Sequence, residues 1–134
     1  MEENKLTKDP RLMSPLQLAY IGDAVYELLV RSYLIENHDM NVNDLHRKAI
    51  LFVKAEAQAE AFRFVENDLT EEELRIVKRG RNAKSVTVPK NAKLADYKYA
   101  TGLEALFGYL FMSNQTQRIE ELFEKIKTEI TRLK

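Results

Sequence analysis

The chain has no cysteine and no tryptophan, and only four glycines and three prolines in 134 residues. Without thiols it has no disulfide, no thiolate zinc site and no cysteine nucleophile. So few Gly and Pro residues leave too little turn chemistry for a many-stranded β protein. No run reaches the roughly eighteen apolar residues of a membrane span. The opening MEENKLTKDP is acidic and polar and lacks the apolar stretch of a signal peptide, so a cytoplasmic chain with no membrane partner is expected. The two histidines, His38 and His46, are too few for a histidine-rich metal site and read as surface residues. Neither a Walker pattern nor a nucleophile triad is visible.

What is present reads as helix. The 45% hydrophobic and 31% charged content is that of a globular protein, and the length fits a single domain over residues 1–134. Ser14 caps a helix over residues 15–35, with Pro15 in the first turn and Gln17 completing a capping box. Residues 41–43 lead into an alanine-rich helical region over 44–65, broken near Val53 or Lys54. Thr70 and Glu73 form a second capping box for a short helix ending by Gly80. A helix over 94–112 and an amphipathic one started by Asn114 and Gln117 complete the chain. Between them, residues 80–93 hold Gly, Asn, Ser, Val-Thr-Val and Pro89 with no helical period, and predict an exposed, flexible loop. The fold class is all-α, a bundle of about six to seven helices.

Charge is unevenly spread although the net formal charge is zero. Residues 1–74 carry eight Lys/Arg against fifteen Asp/Glu, whereas RIVKRGRNAKSVTVPKNAKLADYK, residues 75–98, carries eight against one. Lys78, Arg79, Arg81, Lys84, Lys90 and Lys93 are therefore candidate RNA-binding residues, suited to phosphate contacts that ignore base sequence. A charge run is also the ordinary make-up of a solvated surface loop. Only Tyr97 and Tyr99 lie close by, which is too little for the stacking platform of single-strand binders, so double-stranded nucleic acid fits better.

Two carboxylates stand in apolar surroundings. Asp23 is the only charge between Leu12 and Tyr26, in LAYIGDAVYELLV, and Glu104 the only one in YATGLEALFGYLFM. An ionised carboxylate in such a setting costs several kcal/mol unless it is paired or binds a metal. Gly22 and Gly102, each one or two positions before an acid, would let the two helices cross closely and bring the carboxylates together. A hard cation such as Mg²⁺, with water filling its other positions, would then relieve their repulsion and could activate water against a phosphate. Alternatively, each acid pairs with a buried Arg or caps a neighbouring helix; composition and spacing allow both.

These same residues resemble the ribonuclease III family. LAYIGDAVYELLV is similar to its signature box through Gly22, Asp23, Ala24 and Val25, and ATGLEALFGYLF to its second acidic box through Ala100, Glu104, Ala105, Leu106 and Gly108. The chain leaves no room for the appended double-stranded-RNA-binding domain of usual members, which resembles the Mini-III subgroup. The resemblance implies a ribonuclease III catalytic-domain fold and a homodimer with signature helices packed across the two-fold. It also implies hydrolysis of double-stranded RNA to 5′-phosphate and 3′-hydroxyl ends, with Mg²⁺ as cofactor and Mn²⁺ as a substitute. The implied substrate is a large-subunit ribosomal RNA precursor, with a ribosomal protein as a candidate helper. Asp23 and Glu104 carry over as catalytic and metal-holding residues.

Two family acids are replaced here, by Ala19 and Thr101. Glu27 and Asp96 are candidate substitutes, and Thr101 a candidate for holding water. This depleted acid set supports a second expectation, a catalytically silent RNA-binding or ribosome-assembly protein with the same fold.

Overall fold

A computed structural model describes residues 8–84 and 93–133, and the expected all-α bundle is what it shows. The helices are α1 (Pro15–Asn37), α2 (Val42–Val53), α3 (Ala55–Val65), α4 (Glu71–Asn82), α5 (Leu94–Met112) and α6 (Thr116–Leu133), with 3₁₀ turns at Pro10–Leu12 and Glu66–Asp68. The Val-Thr-Val stretch, Pro89 and Lys90 of the expected loop lie outside the described residues.

From Ala100 onward helix α5 is apolar on nearly every side, with Leu103, Ala105, Leu106, Phe107 and Leu110 all buried, and a helix of that kind belongs in the middle. It packs against α1, α4 and α3, and more lightly against α6. Tyr26 of α1 meets Phe107 edge-on at 5.2 Å and Phe123 of α6 at 5.8 Å between ring centroids, tying three helices together. Each such buried side chain contributes about 1.5–3 kcal/mol through removal from water.

All four glycines sit where another helix presses on α5, but not in the expected pairing. A Cβ on Gly22 would stand 1.6 Å from the Glu104 carbonyl oxygen and 2.8 Å from the Gly108 amide, and a Cβ on Gly108 would stand 1.9 Å from Leu18 O. The partner of Gly22 is therefore Gly108. Gly102 faces the opposite neighbour, where a Cβ would lie 2.7 Å from Val77 O of α4, and a Cβ on Gly80 would lie 2.9 Å from the Gly102 Cα. This second contact explains why α4 continues to Asn82 and does not end by Gly80: the chain must stay helical to lay Gly80 against α5.

Most helix starts follow their sequence signals, although at Ser14 only one half of the expected capping box forms, with no return bond from Gln17 among the described residues. Ser14 Oγ accepts from Gln17 N at 3.5 Å, and Asn41 Oδ1 from Asp44 N at 2.9 Å. Thr70 and Glu73 form the full reciprocal capping box. Buried Glu73 also takes a two-pronged ion pair from Arg118, both contacts at 2.8 Å, which holds α6 against the start of α4. Asn114, expected to start α6, instead closes α5. It adopts a left-handed φ of 58°, and the Asn114 and Gln115 amides donate back to Phe111 O and Leu110 O at 3.0 and 2.8 Å.

Candidate active site

The α1–α5 crossing sets Asp23 beside Glu104. Because Gly22 rests on the Glu104 main chain, the next residue of α1 delivers its carboxyl to that of Glu104, within hydrogen-bonding reach. Asp23 is exposed on its outer side and Glu104 is largely enclosed. Burial first, then the Asp23 charge and the hydrogen bond to Asp23, push the Glu104 carboxyl up to about 8, while Gln58 pulls it back. Near neutral pH the pair therefore retains a proton between two acids, a state that a cation can replace.

Gln58 is a member of this site that the sequence reading missed. It lies in the alanine-rich AEAQAEAF of α3 yet is only 2% exposed, donates to Val53 O at 3.1 Å and reaches the Glu104 carboxyl. Its Oε1 is buried and accepts no hydrogen bond among the described residues. Tyr26, one turn after Asp23, forms an apolar wall. Its hydroxyl is buried without a partner among the described residues, and burial together with the Glu104 charge keeps it un-ionised.

This donor set fits a hard divalent cation: two adjacent carboxylates that resist joint ionisation, and behind Glu104 an amide side chain whose oxygen has no hydrogen bond among the described residues. Among the described residues no third His, Asp or Glu joins them. Glu27 is engaged by Arg31 at 3.2 Å and Asp96 faces Arg63 at 3.8 Å. Ala19 is buried in the core, and Thr101 Oγ1 is spent on Tyr97 O at 3.0 Å.

The basic residues divide into two kinds. Arg79 is committed, its two terminal nitrogens donating to Arg11 O and Met13 O at 2.8 Å each. Lys78, Lys84 and Lys93 are exposed, and Arg81 lies half-exposed over the Tyr99 ring at 5.8 Å. Arg81 and Lys84 line a cleft with Lys98, Tyr97 and Thr101, so its wall runs along α5 to one turn before Glu104. Lys98, at the end of the basic stretch 75–98 but not among the expected RNA-binding residues, adds a cation to this cleft. Lys90 lies outside the described residues.

A family model for the ribonuclease III domain matches residues 16–115, a span that includes both acids and the basic cleft. The chain belongs to the ribonuclease III family. Mini-ribonuclease 3 of Clostridium tetani is 50% identical over 89% of this chain and 80% of its own length, and that of Brevibacillus brevis 46% identical over 93% of each. The crystal structure of a Fusobacterium nucleatum protein superimposes with a TM-score of 0.81 at 33% identity, covering 96% of this chain and 100% of that one. The chain is thus a member of the Mini-ribonuclease III subgroup and an endoribonuclease, which sets aside the catalytically silent expectation.

Proposed function

We propose that this Mini-ribonuclease III cuts both strands of double-stranded RNA in a divalent-metal-dependent reaction, with Asp23 and Glu104 as the catalytic and metal-holding carboxylates. The observation that carries the reading is the meeting of these two acids at the α1–α5 crossing, where burial and mutual repulsion call for a cation. Mg²⁺, with Mn²⁺ as a substitute, would supply water activation and stabilise charge on the phosphodiester under attack, giving 5′-phosphate ends. Asp23, on the exposed side, meets the incoming backbone, and Glu104, with Gln58 and Tyr26 behind it, keeps its orientation. Lys78, Arg81, Lys84, Lys90, Lys93 and Lys98 grip flanking phosphates without reading bases, and Arg79 adds charge while its donors stay occupied.

The substrate in this reading is a precursor of large-subunit ribosomal RNA, processed in the cytoplasm, with a ribosomal protein as helper. None of the helices among the described residues is long and apolar enough to cross a membrane. The active form is a homodimer joined through α1. Its outer face carries Leu16, Tyr20, Leu28 and Ile35, the last three 84%, 55% and 64% exposed, a stripe that a second copy would cover. The deciding experiment incubates the protein with duplex RNA in Mg²⁺ or in chelator and resolves the strands on a denaturing gel. Cleavage is expected with Mg²⁺ alone and at least about a thousandfold slower for Asp23→Asn, a barrier change of about 4 kcal/mol. Wild-type rates from Asp23→Asn would end the proposal.

A further inference from the structure

Asp23 and Glu104 are only two carboxylates, and the candidate replacements for the family acids at positions 19 and 101 are engaged elsewhere. Position 58 offers something different. The α2–α3 break at Lys54 frees the Val53 carbonyl from helical pairing, and Gln58 reaches back five residues to satisfy it at 3.1 Å. A carbonyl can only accept, so the amide NH₂ must face Val53, which fixes which end of the side chain is nitrogen. The same side chain reaches Glu104, and Oε1, enclosed and without a donor among the described residues, is its one unused group. A buried amide oxygen without a partner is costly, so its presence on a side chain that reaches Glu104 calls for an explanation.

We propose that Gln58 is the positioning residue of the carboxylate pair: anchored on Val53 O, it holds the Glu104 carboxylate in place through its amide and presents Oε1 as a neutral oxygen for the hydrated divalent cation. This inference rests on the reading of Asp23 and Glu104 as a metal pair. It assigns to a neutral side chain part of what Ala19 and Thr101 no longer provide, and it makes the helix break at Lys54 a functional feature as well as a change of direction.

The test is Mn²⁺ binding to the full chain without RNA, followed by the loss of the free-ion electron paramagnetic resonance signal, on EDTA-stripped protein. Gln58→Leu is expected to weaken Mn²⁺ binding about tenfold or more, the usual cost of losing an outer partner of a metal ligand. Gln58→Glu, which places a charged oxygen at the same point, is expected to tighten it. If Gln58 only capped α2, both variants would lower the melting temperature and leave Mn²⁺ affinity at the wild-type value, and that result overturns the inference. Should the leucine variant fail to fold, Gln58→Glu carries the test with the same two outcomes. Wild-type protein that takes up no Mn²⁺ overturns the metal-pair reading and this inference with it. Wild-type uptake with unchanged variants overturns this inference alone.

Discussion

Helix α5 is crossed on two sides by glycine contacts that look alike and do different work. Against α1, Leu18 and Gly22 lie on Glu104 and Gly108, main chain upon main chain, and the result is an acidic pair with Glu104 half-buried and Asp23 at the surface. Against α4, Gly80 and Val77 lie on Gly102 and Ala105 with more side-chain material between the backbones, and the result is an open cleft carrying Arg81, Lys84 and Lys98. Helix α5 thus contributes one member to each place, Glu104 to the acidic pair with Asp23 of α1 and Lys98 to the basic cleft with Arg81 of α4 and Lys84. The difference lies in tightness. The acidic crossing needs contact between backbones to bring two short side chains together, whereas long Lys and Arg side chains reach their targets from a looser one.

The largest effect should come from forcing the acidic crossing open. Gly22→Ala would drive a methyl group to 1.6 Å from the Glu104 carbonyl, a backbone atom that cannot move aside. A loss of about 3 kcal/mol or more, or no folded protein, is expected in urea melts. The same change at Gly80 meets the Ala105 methyl and the Gly102 Cα at 2.9 Å, and helix propensity returns up to about 1 kcal/mol, so a net loss near 1–2 kcal/mol is expected. Equal losses at the two glycines would break the comparison.

Next in size is the pH response of the acidic pair. The Glu104 carboxyl is raised to about 8 from an ordinary 4.5, so the metal-free native state holds its proton more tightly than the unfolded chain does. The stabilising contribution is complete below pH 4.5 and is lost as pH rises through 8. Melts in EDTA should show a decline on the order of 2–4 kcal/mol across that window, flattened by Glu104→Gln. Added Mg²⁺ should stabilise more at pH 8 than at pH 6, since the ion and the proton compete for the same oxygens. A flat wild-type profile would show that the two acids do not share a site.

The sequence carried the two acids, the helix order and most caps, because those signals are local: Thr70 with Glu73, Asn41 before α2, Pro15 after Ser14. The glycine pairing was misread because nearness along a helix is not nearness in space. At about 100° per residue, position 102 points away from position 104, while position 108 returns to the same face. Gln58 was invisible for a related reason. Nothing in AEAQAEAF marks one glutamine as buried until α5 is laid over it, and Arg79 read as a free cation until Arg11 and Met13 supplied its acceptors.

That last distinction sets the smallest expected effect and the sharpest test of the basic side. Arg81, Lys84 and Lys98 have charged ends facing an open cleft, so changing all three to Gln should weaken duplex RNA binding in Ca²⁺ and reduce the slope of log affinity against log salt by about 1 per residue. Folding should be nearly unaffected, apart from the cation–π contact of Arg81 with Tyr99, worth about 0.5–1 kcal/mol at an exposed site. Arg79→Gln should do the reverse, lowering the melting temperature by releasing the Arg11 and Met13 carbonyls while changing the salt slope by less than 1. If Arg79→Gln flattened the slope as much as the triple change, its guanidinium would have to leave the main chain to meet RNA, and the division between structural and binding cations on α4 would fall.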